Sequence, residues 1–210
     1  MIPEITKATV ESLYMIFVSG LLSIAIGMPL GILLYTFSIS RRLTSIYRVM
    51  DVCVNIFRSI PFIILILLLI PVTRRVSGTI IGPNAAIFNL TVAAVPFFGR
   101  LTENALNTLP KGVSDSAQAM GVSYRQFVLM VLVPETLPEH ILNASVLLIN
   151  LVTYTAIAGA VGAGGLGQLA INYGYYRFQW DVVLYSVIIL VLISQVIQLL
   201  GTRVAKILRK

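Results

Sequence analysis

The chain has 210 residues, of which 58% are hydrophobic and only 11% charged, with a net charge of +7 and a mean hydropathy of +0.94. That much apolar surface exceeds what a water-soluble domain of this length needs, and the positive charge gathers at helix ends rather than in a nucleic-acid-binding stripe. One cysteine (Cys53) and one histidine (His140) leave no basis for an internal disulfide, a cysteine metal cluster or a histidine-based site.

Only helices and closed barrels satisfy their backbone in lipid, and the apolar runs are far longer than barrel strands, so the fold class is an all-α polytopic membrane protein. Five spans are expected, at about 12–38, 47–72, 84–107, 137–159 and 182–204. The first apolar segment, from Ser12 to Ser40, runs 29 residues without a charge and follows no basic stretch, so it reads as a span rather than a cleavable signal. Five spans put the termini on opposite sides. Arg41, Arg42, Arg48, Arg58, Arg100, Lys111, Arg125, Arg203, Lys206, Arg209 and Lys210 fall on one side, and Lys7, Arg74, Arg75 and Arg177 on the other. Eleven against four places the N-terminus outside and the C-terminus inside.

In the first span, Gly20, Ser23, Gly27 and Gly31 recur at helical spacing, which suits close packing of helices within one subunit or, as the alternative, between subunits. Pro29 is expected to bend that helix. The second span opens on a polar face, Asp51, Asn55 and Arg58, and only Ser59 to Val72 is uninterrupted. Arg58 either snorkels to the headgroups or faces a water-filled path, and in both cases it is expected to be buried in protein rather than to face lipid. Arg100 and Glu103, at the end of the third span, are spaced to pair and are expected at a solvated helix end, with a seat for the following loop as the sharper reading.

The fourth span carries a polar stripe, Asn143, Asn150, Tyr154 and Ile157, flanked by Thr153 and Thr155. Such a stripe either bonds a neighbouring helix or lines a path, and Tyr154 is the leading candidate for solute contact. Gly162, Gly164 and Gly167 fit G-x-G-x-x-G, but the motif follows a membrane helix with no βαβ unit around it, so a dinucleotide site is rejected in favour of a tight turn or re-entrant segment on the outer side. Asp181 is expected to cap the fifth span, and Tyr173, Tyr175, Tyr176, Phe178 and Trp180 form an interface belt.

The polar exception is residues 110–138, PKGVSDSAQAMGVSYRQFVLMVLVPETLP. Asp115 with Gln118 and Ser123 with Gln126 predict two short capped helices separated by Gly121, and Thr136 with Glu139 predicts a third cap that opens the fourth span. Ser116, Ala117, Ala119 and Met120 give the first helix a smooth surface suited to a groove on a soluble partner. The second helix could instead lie on the membrane through Phe127, Met130 and Val131.

This stretch resembles the E-A-A-x3-G-x9-I-x-L-P loop of ABC importer permeases: Asp115-Ser116-Ala117, Gly121, then Val131-x-Val133-Pro134, with Asp for Glu and Ser for Ala at the first two positions. FRSIPFIILILLLIPVTRR, GTIIGPNAAI, PFFGRLTENAL and AGAVGAGGLGQLAINYGYYRF extend the resemblance, to the five-span permease of methionine-type importers, over nearly the whole chain. It implies a single permease domain over 1–210 with a cytoplasmic coupling loop at 110–136, in a bacterial cytoplasmic membrane. The implied assembly is a homodimer with two cytoplasmic ABC ATPase subunits and an extracytoplasmic methionine-binding lipoprotein, in lipid and without nucleic acid. Asp115, Ser116, Ala117, Gln118, Ala119, Met120, Gly121 and Pro134 would couple to the ATPase, while Arg58, Asn143, Asn150, Tyr154 and Ile157 are candidates for the solute path. The chain has no G-x-x-x-x-G-K-[ST], so no catalysis and no cofactor of its own are expected; ATP would be bound by the partner subunit. The competing readings are a permease for another small solute, and an ion-coupled carrier, for which Asp51 is the only candidate acid.

Overall fold

The computed structural model describes residues 2–40, 43–110, 112, 113, 116 and 119–209. Helix α1 is Ile2–Ile39, α2 is Thr44–Ser59, α3 is Phe62–Ser77 and α4 is Pro83–Asn107. Three abutting segments, Tyr124–Gln126, Phe127–Leu132 and Val133–Glu135, form α5, whose middle segment is π-wound. Helix α6 is Leu137–Gly159, α7 is Gly165–Ala170 with a π turn at Ile171–Tyr175, and α8 is Trp180–Leu208.

Four of these helices are long and apolar enough to cross a membrane, and α2 with α3 makes a fifth crossing if the bent pair counts as one. The packing shows that it does. Tyr14 meets Asn84, the backbone of Gly27 lies against Val95, and Gly31 against Gly99, so α1 and α4 run parallel. The chain must therefore return through the full thickness between them, and α2 and α3 are that return. Helix α6 runs back along both: Asn143 bonds the Leu101 carbonyl at one end, and Gly162 bonds Gly82 at the other. Helix α8 ends beside the start of α6, with Arg209 on Glu139. The described ends of the chain thus lie at opposite ends of the bundle, as five crossings require.

The second span is not the continuous helix expected at 47–72. It breaks after Ser59 and bends by 107°. Pro61 is the cause, because its ring disfavours helical backbone at the preceding residue, and Ile60 is extended at φ −76°, ψ 123°. The first span begins ten residues earlier than its apolar run, because Ile2 to Glu11 continue the helix beyond it. It also passes through Pro29 uninterrupted.

The small residues of α1 pack within the subunit. Ser19 and Ser23 are fully buried. A Cβ built on Gly31 would lie 2.4 Å from the Gly99 carbonyl oxygen and 2.4 Å from Thr102 Cβ, so only glycine admits this approach of α1 to α4. The main core joins Met15, Leu90, Phe98, Leu147 and Leu151 of α1, α4 and α6. Away from the core, α2 buries only Val54; Ile46, Val49, Val52 and Ile56 are exposed, while Tyr47, Asp51 and Asn55 make polar contacts with α4. That is the inverted amphipathicity of a helix whose polar face meets protein.

Candidate functional site

Where α2 breaks, Arg58, Phe57, Ile60, Phe62, Leu65, Ala93, Phe97, Asn150 and Tyr154 line a cavity of about 250 Å³. Its depth follows from the helices that wall it. Ala93 and Phe97 flank the midpoint of α4, and Asn150 and Tyr154 lie just past the midpoint of α6. Tyr154 stacks on Phe62, with ring centroids 4.5 Å apart and an interplanar angle of 12°. The Arg58 guanidinium lies 6.0 Å from the Phe97 ring centroid. Phe62 and Leu65 are buried, and Arg58, Asn150 and Tyr154 are the lining residues that carry polar groups.

Three of the five residues expected along a solute path therefore converge: Arg58, Asn150 and Tyr154. The other two do not. The Asn143 amide donates to the Leu101 carbonyl at 3.0 Å and ties α6 to α4. Ile157 packs against the main core. Arg58 departs from expectation in its burial: it is exposed in the subunit rather than buried, because the break at Pro61 ends α2 beside an open cavity instead of carrying it on against α4. Phe57, Phe62 and Phe97 were not anticipated as walls; nothing local distinguishes them from other apolar residues of a span.

Arg100 and Glu103 are also not a solvated helix end. Glu103 is 2% exposed. The Arg100 fork donates Nη1 to Glu103 at 2.6 Å and Nη2 to both Asp51 and Asn55, the latter at 3.2 Å. Tyr47 adds a bond to Glu103 at 3.1 Å, and Asn55 one to Asp51 at 3.2 Å. Two carboxylates sharing one planar guanidinium fix α2 on α4, the geometry for which arginine is suited.

At the other end of the bundle, Gly162, Gly164 and Gly165 have positive φ and form the expected turn. Helix α7 then seats its first amides on α1: Gly165 donates to Glu11 at 2.9 Å and Leu166 to Ser12 at 2.9 Å. A side chain on Gly165, whose φ is +74°, would also meet Ser12 Oγ at 2.6 Å. Asp181 lies inside the first turn of α8 rather than at its N-cap, which is Gln179. Tyr175, Tyr176, Phe178 and Trp180 are exposed, as a belt requires.

Of the coupling residues, Asp115, Ala117 and Gln118 lie outside the described residues, as does the cap expected there. Ser116, Ala119, Met120 and Gly121 are exposed, and Gly121 has a left-handed φ of +69°. Ser123 and Gln126 form the expected capping box. Phe127, Val128 and Leu132 bury against Tyr35 and Leu106, so α5 docks on the ends of α1 and α4, leaving Leu129 and Met130 outward. Pro134 is exposed near its end. Thr136 caps nothing: its hydroxyl donates back to the Leu132 carbonyl at 2.7 Å, because the chain passes from α5 into α6 with near-helical backbone.

Comparison with known proteins bears on this arrangement. A family model described as binding-protein-dependent transport system inner membrane component matches residues 27–210. The chain is 44% identical over 201 residues to the probable D-methionine transport system permease protein MetI of Pasteurella multocida, covering 95% of this chain and 93% of that one. It is 42% identical over 166 residues to the methionine import system permease protein MetP of Bacillus subtilis, covering 79% and 75%. A solved structure described as an inward facing conformation of the MetNI methionine ABC transporter, native CY5 crystal form, superposes with a TM-score of 0.96 at 43% identity, over 99% of this chain and 97% of that one.

Proposed function

Because the chain belongs to the family of binding-protein-dependent transport system inner membrane components, we propose that it is the membrane-spanning permease of an ATP-driven ABC importer for methionine. The observation that carries this reading is the near-complete superposition on a methionine ABC transporter, with a TM-score of 0.96 over 99% of the chain. Relatives named as methionine transport permeases support the solute. The chain acts as one domain over 1–210, as a homodimer in a bacterial cytoplasmic membrane with two cytoplasmic ABC ATPase subunits. A methionine-binding lipoprotein delivers the solute from outside, and ATP is bound by the partner rather than by this chain. The N-terminus lies outside and the C-terminus inside, in keeping with the charge count.

In this reading Asp115, Ser116, Ala117, Gln118, Ala119, Met120, Gly121 and Pro134 receive the ATPase. The exposure of Ser116, Ala119, Met120 and Gly121 supports it, as does the docking of α5 on the ends of α1 and α4. Movement of the ATPases then rocks the helices as rigid bodies and opens the path to alternate sides. An ion-coupled carrier is disfavoured by one contact: Asp51, its only candidate acid, is held by Arg100.

The test is methionine uptake into proteoliposomes containing the permease, its ATPase and its binding protein. ATP-dependent accumulation of labelled methionine, in preference to other amino acids, is expected. Accumulation without the ATPase overturns the reading. Gly121→Asp tests the coupling segment: it is expected to abolish ATPase co-purification or uptake, and retention of both removes the segment from that role.

A further inference from the structure

We propose that the cavity at the α2–α3 break is a solute site within the permease itself, in which Arg58 takes the carboxylate of the transported amino acid. The inference rests on the importer reading above and assigns chemistry that the reading does not require, since a separate protein could supply all the recognition.

Three observations converge. First, among the described residues Arg58 has no hydrogen-bond or ion-pair partner: its only recorded contact is the Phe97 ring at 6.0 Å. By contrast Arg100, three positions after Phe97 on α4 and so about one turn away, is ion-paired to both Asp51 and Glu103. Arg58 stands in the last turn of α2, beside Phe97 near the midpoint of α4. An arginine in a spanning segment without a counter-charge is costly, and such residues mark paths and ligand counter-ions. Second, Asn150 and Tyr154 line the same cavity, and among the described residues neither side chain has a hydrogen-bond partner. Third, the span that lines it is discontinuous. Ile60 and Phe62 are at the break, and the N-terminus of α3 carries no side-chain cap. A half-helix N-terminus exposes free amides and favours an anionic group.

These groups match a small apolar zwitterion. The carboxylate is met by the Arg58 fork and the first amides of α3, with the Tyr154 hydroxyl as a further donor. The Asn150 carbonyl accepts from the ammonium. Phe57, Phe62, Leu65 and Phe97 enclose the side chain. The volume, about 250 Å³, falls below the roughly 300–1,000 Å³ of drug-sized pockets, as a single amino acid requires. Among the described residues no acidic side chain lines the cavity, so the fixed charge of Arg58 selects the carboxylate end.

The experiment is equilibrium binding of radiolabelled methionine to the permease–ATPase complex in nanodiscs without the binding protein, with competition by norleucine and by methioninamide. Norleucine, which keeps the carboxylate, is expected to compete within a few-fold of methionine. Methioninamide, which lacks the carboxylate, is expected to compete about tenfold to hundredfold more weakly, the loss of charge-assisted hydrogen bonds. In Arg58→Gln, methionine is expected to weaken by the same factor and its advantage over methioninamide to vanish. Arg58→Lys, which keeps the charge but not the fork, is expected to fall between.

Absence of saturable binding to a complex that transports methionine overturns the proposal. So does equal competition by methioninamide in the wild type, or retention of discrimination in Arg58→Gln; a merely snorkelling arginine predicts these last two results. If Arg58→Gln fails to assemble, the analogue series on the wild type still decides. Failure of the importer reading is distinguished by the absence of ATP-dependent methionine uptake in the reconstituted wild type.

Discussion

Single side chains at two places carry much of the cost of this fold. Gly31 has no room for a Cβ against Gly99 and Thr102, and neither neighbour is the far end of a flexible side chain. Gly31→Val should therefore force α1 from α4 and destabilise the subunit by about 1–3 kcal/mol, the usual penalty of overpacking. A clearly lowered melting temperature in detergent is expected, and wild-type melting would show that α1 can shift freely. The spacing of Gly20, Ser23, Gly27 and Gly31 made this packing legible in the sequence. Arg100 is the second place. Arg100→Ala leaves Glu103, 2% exposed, as a buried carboxylate without its cation, at a cost of about 3–5 kcal/mol. Glu103→Gln keeps a hydrogen-bonding group and should cost less. The expected order of melting is wild type, then E103Q, then R100A; R100A melting with the wild type would mean that Glu103 finds another partner. The pairing of Arg100 with Glu103 could be read from their separation of three, but its burial could not, because Tyr47, Asp51 and Asn55 come from a helix some fifty positions earlier.

Among the helices, α5 shows how local signals succeed. Ser123 accepts from the Gln126 amide while the Gln126 side chain returns to the Ser123 amide, as the spacing predicts. Ser123→Ala should remove about 1 kcal/mol of local stability. Faster amide exchange confined to the residues after position 123 is expected; unchanged exchange there would mean that docking of Phe127 and Leu132 alone holds the helix. Thr136 with Glu139 has the same spacing and forms no cap, since a box needs a chain entering from outside the helix and α5 runs directly into α6. The broken span shows the complementary lesson. Pro61 announced a boundary, and the polar face before it and the apolar run after it were both visible. The 107° bend was not, because it depends on how α2 and α3 each seat on α4. That bend decides the candidate site, since it places Arg58 beside Asn150 and Tyr154 while Asn143, on the same predicted stripe, becomes a bond between helices.

At the scale of the molecule, four helices are long and apolar enough to cross, and the parallel packing of α1 and α4 makes the bent α2–α3 pair the return between them. Helices α1, α4 and α8 run one way, and α6 and the broken span run the other, so the described ends lie at opposite ends of the bundle. Span number was legible because each apolar run is about as long as a bilayer is thick. The direction rests on the distribution of lysine and arginine. Lys7 lies on α1 near its start and Lys206 on α8 near its end, both exposed, which makes them suitable probes. With Cys53 replaced by serine so that no other thiol competes, Lys7→Cys should react with a membrane-impermeant maleimide in intact cells or spheroplasts, and Lys206→Cys only in inverted vesicles. The reverse pattern would invert the orientation and move the segment around Gly121 to the outside, where a cytoplasmic ATPase could not reach it. Labelling of both positions from one side would mean an even number of crossings, and the α2–α3 pair would then have to enter and leave on one face. The parallel packing of α1 on α4, with Gly31 against Gly99, is incompatible with that path.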